Sequence, residues 1–151
     1  MSVAFRRESD EEHLEPVFEL PIPSGPNLVT ARGLAMIDAR VAALEEAIAA
    51  APDAEAAKPL RRDLRYWHTR QTTAIETAAR QDGVVGFGMR VTFALAGKTR
   101  TVTLVGDDEA DPAADLLAFS APLARAMMGA EEGETLPFNG RDDAIEIVAV
   151  G

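Results

Sequence analysis

The stretch Leu34-Ala35-Met36-Ile37-Asp38-Ala39-Arg40-Val41-Ala42-Ala43-Leu44-Glu45-Glu46-Ala47-Ile48 decides how this chain is read. Its large apolar residues Leu34, Ile37, Val41, Leu44 and Ile48 recur at alternating steps of three and four, the a/d spacing of a two-helix seam. Thr30 is a good N-cap for that helix, and Pro52 stops it, because the residue before a proline is pushed out of the helical region. A second series with the same spacing follows at Leu60, Leu64, Trp67, Gln71, Ala74 and Ala78. Pro59 fits its first turn, where a missing N–H does no harm, and Asp82-Gly83 ends it. The spacing predicts helices over 31–50 and 59–80. The connection between them is short enough to make them antiparallel. So narrow a seam holds little core, so the hairpin is expected to project as a rod about 30 Å long with Trp67 as its main bulk.

Beyond the hairpin the period changes from helical to alternating. Val91-Thr92-Phe93-Ala94-Leu95 reads as a strand, Ala96-Gly97-Lys98-Thr99 as a turn, and Arg100-Thr101-Val102-Thr103-Leu104-Val105 as the returning strand. Leu116-Leu117-Ala118-Phe119, Thr135-Leu136-Pro137-Phe138 and Ala144-Ile145-Glu146-Ile147-Val148-Ala149-Val150 supply further strands. Pro122 opens a short helix with Ser120 as its expected cap, and Gly129 closes it. The class is therefore α+β: an antiparallel helical hairpin, then a small sheet domain with one short helix. The divisions fall at 1–29, 30–82 and 83–151.

Charge divides the chain in the same places. Residues 1–29 hold six acids, two arginines and four prolines, and read as an extended acidic tail whose Val17–Ile22 patch could dock on the body. Residues 30–82 balance eight acids against eight bases, whereas 83–151 hold eleven acids and five bases. A net charge of −10 over 151 residues argues against a protein that coats DNA or an anionic membrane, and no sequence-specific DNA binding is expected. The chain has no cysteine, which excludes disulfide scaffolds, thiolate nucleophiles and thiolate zinc sites. No apolar run nears the roughly 20 residues that span a bilayer, and Met1–Glu8 lacks a secretory apolar region. A cytoplasmic protein is expected.

Few motifs carry chemistry. Asp108-Glu109-Ala110-Asp111 spells a helicase tetrapeptide, but no phosphate loop accompanies it and the chain cannot hold a helicase core. EF-hand spacing is absent, so the run reads as an exposed acidic loop. His13 and His68 lack companion ligands, and Ser120 lacks a nucleophile elbow. Lys58, Arg61, Arg62 and Arg65 share one face of the second helix. That stripe is either a solvated face paired with Glu45, Glu46 and Asp53, or a short surface for phosphates. Asp53 and Glu55 sit at the hairpin tip, where acids ordinarily serve the helix start.

The run Val105-Gly106-Asp107-Asp108-Glu109-Ala110-Asp111, followed by Phe119-Ser120-Ala121-Pro122-Leu123-Ala124-Arg125-Ala126-Met127-Met128-Gly129, resembles the C-terminal domain of bacterial Gre transcription elongation factors. Phe87–Thr92 before it, and Glu131–Glu134 and Ile145–Val150 after it, continue the match. The hairpin stands where that family keeps its coiled coil. The resemblance implies an FKBP-like fold without isomerase function, docked at the rim of the RNA polymerase secondary channel. It implies Ser120, Ala121 and Pro122 as docking residues, with Asp107 and Asp108 beside them. It implies that the coiled coil enters the channel near nascent RNA. There its tip acids, here Asp53 and Glu55, help hold a Mg²⁺ of the polymerase active site, and the polymerase itself cleaves backtracked RNA. No cofactor of the chain's own, and no enzyme activity beyond stimulating the polymerase, is implied.

The tip departs from the family pattern. The family run resembles D-L-S-E-N-A-E-Y, with acids three apart, whereas Asp53 and Glu55 are two apart and lack the Asn and Tyr. The helices also look shorter. Three readings follow: an elongation factor that promotes cleavage, a channel-binding regulator that does not, and an FKBP-like or helical-hairpin interaction module. The sheet domain's aromatics, Phe87, Phe93, Phe119 and Phe138, are few for an isomerase pocket.

Overall fold

The computed structural model describes residues 19–151. The Asp10-Glu11-Glu12 run, His13, Val17 and Phe18 lie outside the described residues. A short strand β1 (Leu28–Val29) leads into helix α1 (Ala31–Ala50), then α2 (Ala54–Thr73) and strand β2 (Ile75–Glu76). Strands β3 (Arg90–Leu95), β4 (Lys98–Val105) and β5 (Leu116–Ala118), helix α3 (Pro122–Met127), and strands β6 (Thr135–Phe138) and β7 (Arg141–Val150) complete the order.

Helix α1 runs as its apolar spacing requires. The Thr30 hydroxyl accepts from the Gly33 N–H at 2.9 Å and caps it. Ile37, Val41 and Leu44 are buried against α2, and Leu34 and Ile48 are half-buried at the seam's ends. Helix α2 corrects the expected 59–80 at both ends. It starts five residues earlier, because the Asp53 carboxylate accepts from the Ala56 N–H at 2.8 Å and caps the helix there. Ala57 consequently joins the seam as a buried residue, and Pro59 lies inside the helix rather than in its first turn. The helix ends at Thr73 because the next residues form a strand. Ile75 N–H donates to Asn27 O and Thr77 N–H to Val29 O, making β1 and β2 a parallel pair. Ala78, expected in the seam, is exposed beyond the helix.

The five-stranded sheet has the order β5-β4-β3-β7-β6. Its pairings are antiparallel except β4–β5, which is parallel because the chain crosses over through the 112–114 turn before β5. Alternate residues face one side: Val91 and Phe93, Val102 and Leu104, and Ile145 and Ile147 are all buried there. Ala124 and Met127 of α3, with Val85 and Ala130, close that face into the core. The β3–β4 turn is two residues, Ala96-Gly97, both at positive φ, which matches the twist of the flanking strands. Ser120 does not cap α3. Ala121 holds that position without a side-chain bond, since Pro122 at the first helical position needs no acceptor.

The two helices pack on each other and neither lies broadly on the five-stranded sheet. No described helix is long and apolar enough to cross a membrane.

Candidate functional site

The hairpin meets the sheet domain at one polar junction, built around the loop after β4. Arg70 of α2 is 2% exposed. A guanidinium cannot shed its charge, so burial obliges it to find acids and acceptors. Its Nε donates to Asp108 Oδ2 at 2.6 Å and its Nη2 to Asn27 Oδ1 at 2.9 Å, with Asp107 3.7 Å away. Asn27 Nδ2 donates in turn to the Arg70 carbonyl at 2.8 Å and to Thr73 Oγ1 at 3.1 Å. Tyr66, one turn before Arg70, donates its hydroxyl to Asp108 Oδ1. Burial first, and the Asp108 carboxylate second, push the Tyr66 phenol well above its ordinary range.

The N-terminal end of the hairpin is fastened to the same loop. Thr30 Oγ1 donates to Glu109 Oε1 at 2.6 Å, and Arg32 Nη1 donates to Glu109 Oε2 at 2.8 Å. Glu109 is 6% exposed. The expected exposed acidic loop is therefore corrected: Asp108 and Glu109 point inward and bind the hairpin's two roots. Gly106 allows this approach, since a Cβ there would sit 2.5 Å from the Leu28 carbonyl oxygen.

Asp107 reaches the other way. It accepts from the Ser120 hydroxyl and stands 3.7 Å from Arg70. Ser120 and Pro122 are exposed and Ala121 is half-buried, so the three form a ridge at the start of α3. The ridge is stiff. Phe119 N–H donates to Val105 O at 2.8 Å, and the Phe119 ring stacks edge-on against Phe87 with centroids 5.3 Å apart. Ala121 N–H donates to Ala118 O at 3.0 Å. A continuous polar chain thus runs from Ser120 through Asp107 to Arg70, linking the ridge to the hairpin root. Of the docking residues the resemblance implied, Ser120, Ala121, Pro122 and Asp107 are together, while Asp108 serves the junction.

At the hairpin's far end, Asp53 and Glu55 are exposed. One Asp53 oxygen holds the Ala56 N–H and Glu55 lies in the first turn, so both acids suit the helix start electrostatically. No group of three or more His, Asp or Glu able to hold a metal occurs among the described residues. Two carboxylates near a helix N-terminus can contribute ligands to an ion held mainly by another molecule.

Along α2, Arg65 is paired with Glu19 rather than with the acids of α1, Arg62 lies beside Asp63 at 3.5 Å, and Arg61 is exposed. His68 approaches Glu45 at 3.7 Å. The expected apolar docking of the tail is a polar contact in its described part, since Leu20 and Ile22 remain exposed.

Tyr66, Arg70 and Asn27 carry the junction with Asp108 and Glu109; neither Tyr66, Arg70 nor Asn27 was singled out from sequence, and Glu109 entered only as part of an expected exposed acidic loop. A signal existed. Arg70 lies three residues after Trp67, on the inner side of the second series, and a buried arginine demands an acid elsewhere in the chain.

Residues 80–151 match the family described as "Transcription elongation factor, GreA/GreB, C-term". The transcription elongation factor GreA of Thioalkalivibrio sulfidiphilus is 41% identical over 78 residues, 49% of this chain and 49% of that protein. The GreA of Pseudomonas aeruginosa is 40% identical over 78 residues, again 49% of each. The chain spans about half the length of the curated relatives it matches. Among solved structures, the GreA/GreB factor of Nitrosomonas europaea covers 84% of this chain and 98% of its own at 19% identity, with a TM-score of 0.38.

Proposed function

We propose that this chain, whose residues 80–151 match the C-terminal domain of GreA/GreB transcription elongation factors, is a factor of that family that binds bacterial RNA polymerase at the rim of its secondary channel and modulates elongation. The observation that carries the reading is the fixed relation between ridge and rod. Ser120, Asp107 and Arg70 join the Ser120–Pro122 ridge to the root of α2, so seating the ridge on a partner also aims the hairpin. The acidic sheet domain, with eleven acids and five bases, suits a basic rim and salt-sensitive docking.

The two 20-residue helices give the rod a reach of about 30 Å. Asp53 and Glu55 are its exposed tip acids. In a partner's active site they would add ligands to a Mg²⁺ that the partner holds, and such an ion supplies Lewis-acid activation of the attacking water. The octahedral preference of Mg²⁺ is strict, and one Asp53 oxygen already serves the helix cap. Channel occupancy is therefore the main effect in this reading, and stimulated cleavage is weak or absent. The basic stripe of Lys58, Arg61, Arg62 and Arg65 would pass nearest to nascent RNA.

Purified core polymerase stalled in a backtracked complex tests both parts. Occupancy without cleavage appears as slowed release from the stall, or as competition with a bound GreA, with no shortened RNA. Strong cleavage that vanishes in Asp53→Ala or Glu55→Ala makes the chain a cleavage factor. The absence of any effect on the complex rejects the reading.

A further inference from the structure

Strand β4 reaches the hairpin junction at its last residues, so its first residue, Lys98, and Leu95 opposite it mark the far end of the sheet. Two tight turns stand there side by side, Ala96-Gly97 between β3 and β4 and Asn139-Gly140 between β6 and β7. A cleft of about 450 Å³ opens between them, a size that small-molecule sites have. Its apolar lining is Leu95, Phe138 and Ala144, half-buried residues that pack on the core from one side and line the cleft from the other. Its polar lining is Asn139, Arg141 and Asp143. Among the described residues Arg141 has no ion-pair partner and the Asn139 amide no hydrogen bond. Asp143 accepts from Thr135 Oγ1 at 3.0 Å through one oxygen, which orients the carboxylate and leaves its other oxygen for a further donor.

The backbone singles out the same place. Among the described residues four other than glycine have positive φ, and three of them line this cleft: Ala96 at 53°, Asn139 at 53° and Asp143 at 54°. Asn and Asp enter that region readily, whereas alanine is strained there. Strained backbone gathers at ligand clamps. Charge then decides the ligand. Arg141 and Asp143 bring one cation and one anion to the lining, so a molecule with one charge of each sign matches it, and an ion of either sign alone leaves one group unanswered.

We infer that this cleft binds a small zwitterion of amino-acid type. The Arg141 fork takes its carboxylate, the open oxygen of Asp143 takes its ammonium, and its aliphatic or aromatic side chain lies on Leu95, Phe138 and Ala144. Positions 141 and 143 are two apart on β7, roughly 7 Å of strand, a gap that the long arginine side chain closes. The cleft shares no residue with the junction or with the Ser120–Pro122 ridge, and the inference does not depend on polymerase binding.

The full 151-residue chain, labelled for amide spectroscopy, would be titrated with L-leucine and with L-phenylalanine. The expected result is a saturable shift confined to residues 95–97 and 138–144, with half-saturation in the millimolar range. Glycine leaves the apolar floor uncovered and should bind about tenfold more weakly. N-acetyl-L-leucine lacks the ammonium and L-leucinamide lacks the carboxylate, and each should also lose about tenfold. Two substitutions at exposed positions separate the contacts. Arg141→Gln should weaken L-leucine about tenfold and leave L-leucinamide unchanged. Asp143→Asn, which keeps a residue tolerant of positive φ, should weaken L-leucine about as much and leave N-acetyl-L-leucine unchanged. No saturable shift with either amino acid, shifts centred outside the two turns, equal binding of the three leucine compounds, or variants that do not discriminate between the derivatives would each overturn the site.

Discussion

Replacing Asp108 by Ala tests the junction between hairpin and sheet domain. The change removes the acceptor of Arg70 Nε at 2.6 Å and the partner of the Tyr66 hydroxyl, and it leaves a guanidinium that is 2% exposed. An uncompensated buried charge costs about 3–5 kcal/mol. Asp107, 3.7 Å from Arg70 and 13% exposed, offsets part of this. The net expectation is a loss of about 2–4 kcal/mol. At roughly 2–4 °C per kcal/mol for a chain of this size, the melting temperature should fall by about 5–15 °C. The assay is thermal and urea unfolding of wild type, Asp108→Ala, Arg70→Met and the double variant. Because each single change strands the other group, the double should be less damaging than the sum, with a coupling of about 1–3 kcal/mol. A single-variant effect within about 0.5 kcal/mol, the range of ordinary surface changes, would refute the junction, and so would strict additivity.

Three other outcomes follow from the same geometry. Tyr66 is the chain's one tyrosine, so its phenolate absorbance can be followed alone, and it should appear above the ordinary value of about 10. Folding favours the neutral phenol, so its stabilising contribution is complete below about pH 10 and fades as pH rises through the raised folded value; a midpoint at the ordinary value contradicts this. Gly106→Ala places a Cβ 2.5 Å from a backbone carbonyl that cannot rotate away, and unfolding in urea should show a loss of about 1–3 kcal/mol; no loss means β1 is not packed there. Leu44→Asp puts a charge into the buried seam and should lower helical circular dichroism and the melting temperature, with an unchanged spectrum counting against the hairpin.

Much of the architecture was legible because it rests on periodicity. The steps from Leu34 to Ile48 and the alternation of Val91 and Phe93 each report one buried face, and the structure buries those faces. The ends of α2 were not legible. Pro59 looked like a start signal, yet the Asp53 cap and the room for Ala57 in the seam carry the helix back past it. Thr73 is the end only because Ile75 and Glu76 find β1, a pairing between segments more than 45 positions apart that leaves no local mark. The acids after β4 misled for a related reason. An Asp-Asp-Glu run reads as solvated unless its cations are known, and those cations, Arg70 and Arg32, lie in the hairpin. The Ser120–Pro122 ridge was recognisable from its motif, whereas its coupling to Arg70 through Asp107 needed the three-dimensional arrangement.

Binding to core RNA polymerase is the most direct test of the central claim. The 151-residue chain and its Pro122→Arg variant, matched for folding by circular dichroism, would be titrated against bacterial core enzyme at low and high salt. The account predicts saturable binding by wild type that weakens with salt and is lost or greatly reduced in Pro122→Arg. Failure of the wild type to bind, or equal binding by the variant, would contradict it.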